Sequence, residues 1–128
     1  MTWSRAPVAA ALVDMLTAAT SATVTVFAKP PTTINPPAVI VARPTNVNYA
    51  TAAFARDEAT LPIEICGPFD GDDTVDALRD QIRKAIDANP TLEGTVASCT
   101  VTAERNWRNV TVAGVELLAA QIVLTILM

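Results

Sequence analysis

The chain has 128 residues, enough for one domain with its own core. Just over half of them are apolar, 17% are charged, and the net charge is −4. Without a lysine–arginine cluster the chain is poorly suited to gripping phosphates, and without any histidine it lacks the usual proton-transfer side chain and the commonest metal ligand.

The charge is unevenly placed. Residues 1–60 carry a net +1 and residues 61–128 the remaining −5. A charged fraction below the usual quarter of a soluble domain implies more covered surface than a monomer of this size normally has.

In chain order, Ser4 is placed to cap a helix and Pro7 to sit in its first turn. Val8, Ala11, Leu12, Met15 and Leu16 share a stripe, so an amphipathic first helix is expected. The same stretch loosely resembles a secretion signal, but Asp14 breaks the apolar run. Val24–Phe27 reads as a strand. The four prolines of residues 29–37 make a connection, and Ala38–Ala42 is a short strand that Pro44 stops. Residues 45–60 show no period and read as a long loop. Leu61–Cys66 is a third strand, whose Pro62 places its start at an edge or just before the ladder.

The turn GPFDGDD leads into the clearest helix, with Asp72 or Asp73 as N-cap and Asp76 favourable to the helix dipole. Val75, Leu78, Ile82 and Ile86 form its apolar stripe. Asp76–Arg79, Asp80–Arg83 and Asp80–Lys84 stand at ion-pair spacing, and Asn89-Pro90 closes the helix. A long strand follows from Thr95 to about Arg105, with Ala97, Cys99, Val101 and Ala103 on one face. Asn106–Asn109 reads as a turn or bulge, and Gly114 is a candidate interruption of the last strand.

That last strand alternates Leu118/Ala120/Ile122/Leu124/Ile126 with Ala119/Gln121/Val123/Thr125/Leu127. One set is wholly apolar and the other mostly so. The segment is too short and too polar to span a bilayer, so it must be covered by its own fold or by a neighbouring subunit. Helix, three strands, helix and two strands make an α+β domain over residues 1–128. The expected form is a mainly antiparallel sheet of about five strands with two helices on one face.

The chemistry-bearing residues point away from an enzyme and from any cofactor. Asp70, Asp72, Asp73 and Asp76 fail as a calcium loop, because the sixth and twelfth positions hold Val75 and Gln81. They read instead as acids suited to a helix start. Cys66 and Cys99 fit no metal or redox spacing and would pair only if their strands adjoin. Neither they nor the few serines have a histidine to activate them. The run Arg105-Asn-Trp-Arg108 combines charge with an aromatic, the composition of a binding hot spot. It is equally a hairpin whose Trp107 covers the edge of the core.

The order of elements carries a resemblance. A first helix, the strand PPAVIVARP, the strand and turn LPIEICGPFDGDD, the helix TVDALRDQIRKAIDANP, a long alternating strand and GVELLAAQIVLTILM follow one another over nearly the whole chain. This resembles the tail terminator, or tail completion, proteins of long-tailed bacteriophages. The resemblance implies a structural virion protein, assembled in the host cytoplasm, whose homo-hexameric ring caps the tail tube. Its implied partners are further copies of itself, the tail tube protein and the head-side connector, with genomic DNA only passing through the hole and no membrane. Candidate contact residues are Tyr49 and Arg56 in the 44–60 loop and Arg105, Trp107 and Arg108 in the 105–109 turn. The alternatives are a head-closure or neck protein of the same joint and, further off, a secreted bacterial domain.

Overall fold

A computed structural model describes residues 3–50 and 56–128. It contains α1 (Arg5–Ala19), β1 (Thr25–Phe27), β2 (Ala38–Val41), β3 (Asn46–Asn48), β4 (Glu58–Pro68), α2 (Asp72–Ala88), β5 (Ser98–Val112) and β6 (Val115–Leu127). The strands form one six-stranded sheet in the order β1-β2-β4-β6-β5, with β3 on the same side of β4 as β2. Only β1 and β2 run parallel. Both helices pack against one face of the sheet, so the α+β architecture is as expected.

The alternation in β6 explains the core. Leu118, Ala120, Ile122, Leu124 and Ile126 lie under the helices with Leu61, Ile63 and Ile65 of β4 and Val39 and Val41 of β2. Helix α2 contributes the expected stripe Val75, Leu78, Ile82 and Ile86, and α1 contributes Val8, Ala9, Leu12 and Leu16. Burying each large aliphatic side chain contributes roughly 1.5–3 kcal/mol, which is why these strands sit at the centre. The other β6 set faces away from the helices. At one end of that open face, Leu117, Ala119, Ala38, Ile40 and Cys66 pack beneath Ile34 of the proline-rich connection.

Four expectations need correction. Residues 45–60 include the short strand β3, and β4 begins at Glu58; positions 51–55 lie outside the described residues. Pro62 is not at an edge: it lies within β4, opposite Val123 of the central strand β6. The residue is tolerated because its missing N–H faces the break between β2 and β3. On that side the Pro62 carbonyl still accepts the Ala42 N–H at 3.1 Å, and the Thr60 carbonyl accepts the Thr45 N–H at 2.9 Å.

The long strand expected from Thr95 to about Arg105 instead runs from Ser98 to Val112: of the turn or bulge expected at 106–109 it is the bulge that forms, and the hairpin turns at Ala113-Gly114. Both turn residues have positive φ, 51° and 81°, the geometry of a tight two-residue hairpin. The fourth correction concerns the start of α2. Its N-cap position is Gly71, while Asp72 and Asp73 occupy the first turn, where they favour the dipole without capping. Gly71 is required there: a Cβ would lie 2.7 Å from the Pro68 ring and 2.8 Å from its carbonyl oxygen.

The ion pairs on α2 also differ in detail. Arg79 reaches Asp76 at 3.8 Å and Asp80 at 3.3 Å, and Arg83 reaches Asp87 at 3.9 Å. These are exposed pairs of little energetic weight.

Candidate intersubunit surfaces

The five candidate contact residues fall into two groups. Tyr49 follows β3 and is 66% exposed, and Arg56 stands exposed just before β4. Arg105, Trp107 and Arg108 lie in β5, opposite the Gln121–Ala119 stretch of β6. Asn48 aligns through Glu58 with Leu127, six residues along β6 from Gln121. At strand rise that separates the groups by about 20 Å.

Two bulges in β5 decide what its side chains face. Pairing shifts between Val101 and Ala103, and again between Arg105 and Arg108. The second shift includes Asn106, whose φ is 60°. In a regular strand, residues three apart face opposite ways. The extra residue puts Arg105 and Arg108 on the same, open face, opposite Gln121 and Ala119. Trp107 is turned to the helix face. Its indole Nε1 donates to Glu104 Oε1 at 3.0 Å, and Glu104 pairs with Arg79 of α2 at 3.4 Å. Glu104 is the largest cause holding the Arg79 guanidinium pKa above its ordinary value. The run that looked like one cluster is therefore divided between two faces.

The open face carries a polar ladder across three strands. Asn106 Nδ2 donates to Gln121 Oε1 at 2.9 Å, and Gln121 Nε2 donates to Glu64 Oε1. Thr102 and Thr125 join their hydroxyls at 3.1 Å. Arg105 and Arg108 stand exposed beside this ladder with no carboxylate partner among the described residues. Glu64 and Gln121 themselves are half-buried although no helix covers them.

Around Tyr49 and Arg56 the organising residue is Asp57, which nothing in the sequence singles out. It is 3% exposed. Its carboxylate accepts the Ala50 and Trp3 backbone N–H groups, each at 2.6 Å. These two bonds, with Ala50's the stronger, hold its pKa below the ordinary carboxylate value. Its own carbonyl accepts the Met128 N–H at 3.0 Å, and the Arg56 guanidinium donates to the Met128 carbonyl at 3.1 Å. One acid thus ties the chain before α1, the chain after β3 and the end of β6.

Cys66 lies on the open face and Cys99 on the helix face, in strands separated by β6, so they cannot pair within the subunit. Burial pushes their thiols up to about 11 and about 12, so both stay protonated near neutrality. The acids of residues 70–76 do not converge: among the described residues no three potential metal ligands lie together.

No protein-family model matches this chain, and no curated protein matches it closely enough to be counted a relative.

Proposed function

We propose that this chain is a structural subunit of a bacteriophage virion, the tail terminator, whose ring closes the growing end of the tail tube and offers its other side to the head-side connector. The observation that carries the reading is the one-sided sheet. Two helices cover one face, while over the other face of β4, β6 and β5 the described residues place no helix, only the Ile34 segment at one end. The strand β5 is the free edge of that sheet, with every residue from Thr102 to Asn109 exposed. A body with an open face and an exposed edge strand suits a subunit flanked by copies of itself. The low charge of the chain and its order of elements support the same reading.

Function as a terminator needs binding to protein above and below and indifference to the DNA in the channel. A net charge of −4 disfavours phosphate contact, which suits a hole that DNA must traverse. Among the described residues no helix is long and apolar enough to cross a membrane. Ring closure calls for a heterologous interface, in which two different patches of one surface meet.

Two experiments test the reading. Purified protein added to growing tail tubes is expected to arrest their elongation; tubes that lengthen at the same rate with and without it would contradict the assignment. The double change Trp107→Ala/Arg108→Ala strips both faces of the β5 edge. It is expected to weaken ring assembly about tenfold or more while leaving the monomer folded, since Trp107 is 39% exposed and Arg108 lies at the surface. A ring assembling at wild-type concentration would remove the β5 edge from the interface.

A further inference from the structure

The outer side of α1 is unusual for a surface helix. The solvated side of α2 carries Asp76, Asp80, Arg83, Lys84 and Asp87. The corresponding side of α1 carries Ala6, Pro7, Ala10, Thr17 and Ala18, with Asp14 its one charge. The other charged residue of α1, Arg5, is directed inward and donates to the Ala28 and Val41 carbonyls. An outer side this poor in charge is suited to cover by another surface. Beside this helix runs an open groove of about 560 Å³ between α1 and the turn that follows α2. Its apolar lining includes Pro7, Ala10, Met15 and Leu92, and among the described residues Asp14 and Glu93 are the charged groups that line it. Both acids are exposed and without a basic partner among the described residues.

We infer that this groove receives the β5 edge of a second copy of the chain, with its Arg105 and Arg108 meeting Asp14 and Glu93. The inference rests on the ring reading above and names the contact that closes the ring. Charge selects the occupant. The groove is acidic and apolar, and the open face of β5 carries two guanidinium groups without a carboxylate partner among the described residues. Bulging of β5 aligns them on one face, about two residue steps apart along β6, a spacing of about 7 Å. Position supports the same pairing. Helix α1, Leu92 and the groove lie on the helix side of the sheet, whereas Arg105 and Arg108 face the open side, opposite Gln121 and Ala119. Side chains on one face cannot reach the groove on the other within a subunit, but they can reach the groove of the next. Such a contact is head-to-tail, and repeated with a fixed rotation it closes into a ring. The charges and bulges of β5 also discourage plain strand-to-strand pairing along this edge, which leaves side-chain docking as its mode.

Charge reversal tests the contact. Sedimentation velocity of the full chain, carried up to the millimolar range, measures assembly of four proteins: wild type, Arg105→Glu/Arg108→Glu, Asp14→Arg/Glu93→Arg, and the combination of all four changes. All four positions are exposed, and unchanged far-ultraviolet dichroism is the check that each variant is folded. Either reversal alone is expected to raise the concentration needed for assembly at least about tenfold, and the combination to restore most of it. Wild-type rings that neither reversal weakens, or a combination no better than its parts, overturn the contact while leaving the ring reading intact. A wild-type chain that stays monomeric throughout also overturns it, and the terminator reading is then judged separately by its effect on tube length.

Discussion

Ile122→Ala is expected to cost about 3–4 kcal/mol of folding stability, read as a shift in urea midpoint at unchanged slope. Ile122 is 1% exposed and pairs with Ile63 across the two central strands beneath the helices. Neither strand can move inward to fill the space, because each is hydrogen-bonded on both sides. The loss is a large share of the roughly 5–15 kcal/mol that holds a domain of this size together. Leu127→Ala supplies the contrast. Its side chain is half-buried on the open face, and about 1 kcal/mol is expected there. Equal losses at the two sites would show that the helix-covered face is not the dominant core.

The second large effect belongs to Asp57. Its folded pKa lies below the ordinary value of 3.8, because the Ala50 and Trp3 N–H groups stabilise the ionised form. A depressed carboxylate pKa contributes stability that is fully present above the unfolded value and lost as pH falls through the folded one. Wild-type protein is therefore expected to lose stability as pH drops below about 4, and Asp57→Asn to be less stable at neutral pH but flatter through that range. Parallel curves for the two proteins, measured by urea unfolding at a series of pH values, would show that the carboxylate is not the tie between these segments. Asp57→Ala removes both acceptors and leaves two inward-pointing N–H groups without a partner, so it is expected to be the more damaging change.

Much of this fold is legible in the sequence, and the exceptions share a cause. The stripe Val75, Leu78, Ile82 and Ile86 and the two alternating sets of β6 are periodic, and periodicity directly encodes which side is buried. Bulges break that code. Read at a period of two, Cys99, Val101 and Ala103 share a face; in the fold the bulge at Thr102 separates Ala103 from the other two and carries Arg105 to the open face with it. Asn106 gives a turn signal and does adopt positive φ, but it kinks a continuing strand, because Val110, Thr111 and Val112 resume the ladder with β6. The strand β3 has only three residues, too few for any period, and its partners lie in β4. Asp57 is hidden for a different reason: its partners are backbone N–H groups, which no pattern of side chains announces. Pro62 misleads because its ordinary meaning assumes an unbroken neighbour, and the neighbour of β4 is broken between β2 and β3.

The candidate site was legible in composition and not in geometry. Arginine and tryptophan between Arg105 and Arg108 signal a contact surface. That the two arginines face one way and the tryptophan the other depends on a single inserted residue. The groove beside α1 was less visible still, since a helix of alanines reads as amphipathic once its few large residues are assigned to the core. Its outer side becomes informative only when set beside the charged outer side of α2.

The measurement that tests the central claim most directly is electron microscopy of phage particles assembled without this protein. The terminator account predicts tails of abnormal and variable length, unattached to heads, because nothing halts tube growth. Tails of normal length beside unattached, filled or leaking heads would contradict it and move the protein to the head side of the joint.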